Sequence, residues 1–191
     1  MKKTRLIVVA IVVLLVIWVM SKYNGLVSSD ETVKTAWSQV ENVYQRRADL
    51  VPNLVNVVKW AAATEKDILA SVVEARANAT KTNIDIKDAK AMAEYQQSQT
   101  QLSSSLSKLL MVVESYPQLK SIQAFVDLNV QLEGTENRIT VERMNYNNAV
   151  KSFNITIRSF PTNIIAGMFG FDKANLFEAV EWAEVVPVVS F

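Results

Sequence analysis

From Val33 onward, apolar residues return at every seventh position, and this beat confines the chain to long helices packed along shared seams. One seam runs Val33, Val40, Leu54, Ala61, Ile68 and Ala75; a second runs Trp37, Tyr44, Val51, Val58, Val72 and Ala79. Arg47 takes the slot between Val40 and Leu54, and Glu65 the slot between Val58 and Val72. Later, Met92, Leu106 and Val113 repeat beside Tyr95, Leu102 and Leu109, and then Phe125, Leu132, Ile139, Tyr146, Phe153 and Phe160 follow one another. Breakers are scarce: the 191 residues include four Gly and four Pro, too few for the turns of a sandwich or barrel. The predicted class is all-α: an amino-terminal transmembrane helix followed by an up-and-down antiparallel bundle of three to four long helices.

The stretch "ENVYQRRADLVPNLVNVV" (41–58) places Arg46, Arg47, Asp49 and Pro52 among the apolar positions. The seven-residue phase crosses Pro52 without a slip. This favours one helix, kinked at Pro52 and running on to the polar loop "TKTNIDIKD" (80–88); reversal into a hairpin at Pro52 is the alternative. A second helix ends before "SYPQL", where Pro117 suits the first turn of a third helix that stops at Pro161. Gly134 lies inside that third helix at a cost of ~1 kcal/mol relative to Ala, which a closely passing neighbour would explain.

The chain opens "MKKTRLIVVAIVVLLVIWVM". The uncharged run Leu6 to Met20 spans roughly 22 Å as a helix, short of the ~30 Å hydrocarbon layer. Thr4, Ser21, Tyr23 and Leu26 extend it, and Trp18 and Tyr23 suit an interface. A cleaved signal peptide would need a small-x-small site, which "VMSKYNGL" does not offer, and without Cys there is no lipoprotein site. Lys2, Lys3 and Arg5 put the amino end in the cytoplasm and the main domain outside, with Lys22 a slight counterweight.

The net charge is +1, from 20 Lys+Arg and 19 Asp+Glu, and no basic stripe of the kind nucleic-acid binders carry is present. Cys and His are both absent. Disulfides, most zinc chemistry, His-dependent triads and the usual general base are thereby excluded, and no cofactor is expected. Three constellations remain. Ser105 and Lys108 have S-x-x-K spacing, against a solvated face as the plainer reading. Glu133 and Glu136 form a carboxylate pair without the His that completes bundle metal sites. Arg46, Arg47 and Asp49 could clamp an anion, against a helix seam whose charges pair with another helix.

Counting heights along a continuous first helix at ~1.5 Å per residue puts Arg47 roughly 50 Å above the loop at Thr80. That count predicts an Arg47–Glu114 pair, and Arg76 meeting Glu136 or Glu142. Such pairs fix which helix faces which. The same count places the apolar tail "TNIIAGMFGFDKANLFEAVEWAEVVPVVSF" on the side distal to the membrane, as a clip over one end of the bundle or a docking surface of Ile164, Ile165, Met168, Phe169 and Phe171; reversal at Pro52 would instead bring it beside the membrane, as a hook dipping into the interface. The expected divisions are 1–27 anchor, 28–161 bundle and 162–191 clip.

"YNGLV", "AWSQVENVYQRRADLVPNLVNVVK", "EARA", "VVESYPQLKS", "LEGTENRITVERMNYNNAV" and "FPTNIIAGMFGF" resemble the LemA family of bacterial membrane proteins, from about Tyr23 to Phe191. The resemblance implies a short amino-terminal anchor, a helical-bundle domain, and no established activity, cofactor or catalytic residue. Many members carry a His after "VVK", where this chain reads "WAAATEKD". The expected function is a non-enzymatic, single-pass scaffold or adaptor at the bacterial cytoplasmic membrane. Its partners would be the lipid bilayer and a second copy or other membrane proteins, not nucleic acid. A ligand-binding module for a peptide or lipid is the alternative.

Overall fold

The computed structural model describes residues 2–61, 65–81 and 84–178. The described residues form six helices: α1 (Lys2–Ala61), α2 (Lys66–Ala79), α3 (Ala89–Glu114), α4 (Pro117–Lys120), α5 (Gln123–Arg158) and α6 (Thr162–Phe169). No strand occurs among them.

α1 is one helix of 60 residues, ~90 Å long, with Pro52 inside it. The seam continuity across Pro52 thus reflects a continuous backbone helix. The continuation to Thr80 is corrected: α1 stops at Ala61, and α2 runs back down beside it, with Arg76 Nε donating to the Ala48 carbonyl at 2.7 Å. α3 then climbs, its start capped by the Asp88 carboxylate, which accepts from the Lys90 and Ala91 N–H groups. At the distal end Tyr116 donates to Glu65 at 3.2 Å. The third long helix begins at Gln123 rather than Pro117, after the single turn of α4, and descends the length of α1. α1 with α5, and α2 with α3, make two antiparallel pairs.

The core has two parts. The distal cluster is mostly aliphatic, built on Val51, Leu54, Val58, Val72, Leu102, Leu106, Leu109 and Leu132. The proximal cluster is aromatic, with Trp37, Tyr44, Tyr95, Tyr146, Phe153 and Phe177. Leu26 and Val33 of α1 belong to this second cluster, so the bundle begins within two turns of the apolar run.

Because α1 ends nearly twenty residues earlier than the seam suggests, α5 descends toward the membrane end of α1. The tail is therefore proximal, not distal: the Tyr23 ring lies 4.8 Å from Phe169 and 5.9 Å from Phe171. Gly170, in the left-handed region at φ 72°, closes α6, and Phe171 N–H returns to the Ala166 carbonyl. Gly134 has no close neighbour; a Cβ built there meets nothing within 4 Å. Gly134→Ala should therefore raise stability by ~1 kcal/mol, seen as a later midpoint in reversible chemical unfolding.

Candidate functional site: the Arg47 bracket and the carboxy-terminal strap

Between the two core clusters sits a single polar layer centred on Arg47, which is 1% exposed. Its Nη1 donates to Ser103 Oγ at 2.7 Å and to Glu136 Oε1 at 2.9 Å. Its Nη2 donates to Gln99 Oε1 at 2.6 Å and to the Gln99 carbonyl at 3.2 Å. The guanidinium lies 5.0 Å from the centre of the Tyr44 ring. Gln99 in turn donates to the Ala79 carbonyl at the end of α2. One side chain of α1 thus ties together α3, α5 and, through Gln99, α2. A buried charge satisfied on several sides at one height fixes the register of helices that apolar seams alone would let slide.

The expected partners change accordingly. Arg47 pairs with Glu136, not Glu114, which is exposed at the end of α3. Arg76 bonds the Ala48 carbonyl and, among the described residues, forms no ion pair with Glu136 or Glu142; Glu142 accepts from Asn145 on its own helix. Both errors come from setting the top of α1 at residue 80. The three would-be chemical centres do not assemble. Arg46 and Asp49 face solvent while Arg47 points inward, so no anion clamp forms. Lys108 is exposed and lacks the desolvation a base needs beside Ser105. Glu133 is exposed while Glu136 is committed to Arg47, and no group of three or more potential metal ligands occurs among the described residues.

Sequence reasoning missed the strap. Residues 171–178 leave α6 and climb the bundle in extended form. Asn154 Nδ2 donates to the Ala174 carbonyl at 2.9 Å, and its Oδ1 accepts from the Ala174 N–H at 3.1 Å. Asn147 does the same for Phe177, at 3.1 and 2.9 Å. The spacings match: seven residues of helix and three of extended chain each cover about 10 Å. Tyr146 of α5 also donates to the Asn175 carbonyl, and from the other side Gln96 Oε1 of α3 accepts from Glu178 N–H and Asn175 bonds the Ile86 carbonyl. Phe177 stacks on Trp37 at 5.8 Å, meets the edge of Tyr146 at 5.5 Å and lies 4.8 Å under the Arg143 guanidinium. The strap, α3 and α5 border a solvent-open groove of about 840 Å³ whose walls include Arg47, Glu136, Arg143, Gln96 and Lys173.

Of the residues expected to dock a partner, Ile165 is 3% exposed and belongs to the core, and Phe171 is half-buried against it. Ile164, Met168 and Phe169 are exposed on α6.

Burial acts on titratable groups beside the aromatic cluster. Desolvation pushes the Glu41 carboxyl above its usual range, more than its hydrogen bond with Trp37 pulls it down. The Tyr44, Tyr95 and Tyr146 phenols are pushed up, chiefly by burial. A raised carboxylate pKa means that the folded state binds the Glu41 proton more tightly than the unfolded chain. Its contribution to stability is therefore largest at low pH and declines as pH rises from the ordinary carboxylate value through the raised one. Glu41→Gln should flatten the stability–pH curve from the ordinary carboxylate range upward, leaving the variant the more stable at neutral pH.

Comparison with known proteins places these features. The LemA family model matches residues 36–191, which covers α1 from Ala36 onward and the rest of the chain. The chain belongs to the LemA family. Relatives of this LemA-family chain include magnetosome protein MamQ 2 of Paramagnetospirillum magneticum, 27% identical over 87% of this chain and 68% of the relative. Protein LemA of Metamycoplasma hominis is 24% identical over 83% and 69%. Magnetosome protein MamQ of Magnetospirillum gryphiswaldense is 22% identical over 82% and 64%. With its apolar amino-terminal helix, this LemA-family chain is a membrane-associated helical protein.

Proposed function

We propose that the protein is a non-enzymatic, self-associating scaffold or adaptor, anchored once in the bacterial cytoplasmic membrane. The observation that carries this reading is the continuity of α1. One helix holds the apolar run from Leu6 to Met20 and then, without a loop, supplies Leu26, Val33, Trp37, Val40 and Arg47 to the bundle core. A tether needs only a flexible linker; a helix shared by span and core holds the domain at a fixed height and orientation, as lateral assembly requires. The basic cluster of Lys2, Lys3 and Arg5 supports a cytoplasmic amino end with the bundle outside. A binding module for a lipid or peptide favours an enclosed, mostly apolar pocket, whereas the groove beside the strap is open and carries several charges.

Extraction of the full chain in mild detergent, with the mass of the particles measured, tests the assembly. Homo-oligomers or complexes with other membrane proteins are expected, and a population of bare monomers would refute self-association. External protease on intact spheroplasts should digest the bundle; full protection would reverse the orientation.

A further inference from the structure

We infer that α6 and the base of the bundle lie within the interfacial layer of the bilayer, with Phe160, Ile164, Met168 and Phe169 turned into lipid. The inference rests on the reading of Leu6 to Met20 as a membrane span. α6 reads TNIIAGMF, with no charged residue and polar side chains only in its first two positions. A helix apolar all round is ordinarily buried on every side. Here protein covers one side, through Thr162, Ile165 and Ala166. The other side leaves Met168 76% exposed and Phe160, just before the helix, 82% exposed.

The location of that bare face identifies what covers it. Tyr23, in ring contact with Phe169, is one helical turn beyond Met20, ~4.5 Å along the axis. Val19, inside the apolar run itself, is half-covered and packs against the proximal core cluster. The foot of the bundle therefore overlaps the end of the span. The span also needs a supplement, since its roughly 22 Å falls short of the hydrocarbon thickness. Beyond Met20, Leu26 is fully buried in the bundle and cannot face lipid, so α1 itself offers there only the partly exposed Tyr23 and Val27. α6, alongside Tyr23, supplies the missing apolar belt at the depth where in-plane helices settle. Lys22 and Arg158, both exposed near this end, sit where anionic headgroups would meet them, and exposed Asp172 marks where the strap leaves for water.

The chain has no Cys, so single labelling sites can be introduced one at a time. The full-length protein carrying Met168→Cys, Val13→Cys or Met111→Cys is labelled with an environment-sensitive NBD probe. It is then reconstituted into phosphatidylcholine–phosphatidylglycerol vesicles containing nitroxide lipids, with the nitroxide near the headgroup or near the chain end. Met168 and Met111 are both exposed, so neither label burdens the core. The probe at 168 should lose most of its emission to the shallow nitroxide and less to the deep one. The probe at 13 should respond chiefly to the deep nitroxide, and that at 111, at the distal end, to neither. If position 13 is quenched and 168 is not, the interfacial placement is overturned while the span stands, whether the probe at 168 is wet or covered by protein. If position 13 is not quenched, the span fails and the inference with it.

Discussion

Arg47→Ala should destabilise the bundle by about 3–5 kcal/mol, the range for breaking a buried charge pair by removing one partner. The side chain is almost wholly enclosed and makes four hydrogen bonds. Its removal leaves a cavity between two core clusters. It also strips the donors from Gln99, itself 5% exposed, so the cost of unsatisfied buried acceptors adds to that of the void. Glu136 behaves differently. Its side chain is 42% exposed and can rehydrate, and after Glu136→Gln the amide oxygen still accepts from Nη1. About 1 kcal/mol is expected there. Equilibrium unfolding of the full chain in detergent, followed by helical signal, reads both. Equal effects would mean that the ion pair, not the arginine's enclosure, holds the layer. A loss below ~0.5 kcal/mol for Arg47→Ala would show that the layer contributes little.

Phe177→Ala should cost about 3–5 kcal/mol, the usual range for truncating a buried aromatic. The ring is 5% exposed and contacts Trp37, Tyr146 and the Arg143 guanidinium, linking three side chains from α1 and α5. The effect should be uneven. The strap's main chain is held by Asn147, Asn154 and Gln96, and these contacts do not depend on the side chain at 177. The variant should first lose amide protection in residues 171–178 and then lower the unfolding midpoint, whereas the distal cluster keeps its protection. Uniform loss of protection along all helices would contradict a strap that docks on a preformed bundle.

The contrast between these two sites explains what the sequence makes legible. The seams are visible because burial repeats with the helix: of the positions counted from Val33 to Phe160, most lie in one of the two clusters. Arg47 stands out for the same reason, as a charge in an apolar slot. Its partner is not visible, because pairing depends on height, and height depends on where α1 ends. That end falls before "TEK" in an Ala-rich stretch with neither Gly nor Pro, composed of good helix formers. α2 then resumes with Leu69, Val72, Ala75 and Ala79 buried, the spacing a continuing seam would show. Periodicity therefore cannot distinguish a helix that continues from one that turns back. The strap is hidden for another reason. Side-chain amides grip its backbone, so its own residues carry little pattern; the only signal is Asn147 and Asn154 seven positions apart on α5.

α1 runs unbroken from the apolar run at Leu6 to Met20 to the distal end of the bundle. A pulsed electron spin distance between labels at Lys22→Cys and Lys59→Cys, both exposed, measures this in the reconstituted full chain. A straight helix across Pro52 gives ~56 Å between backbone positions, from 37 residues at 1.5 Å each. A narrow distribution near that value is expected, and a distance near ~35 Å, as a reversal at Pro52 would produce, would contradict it.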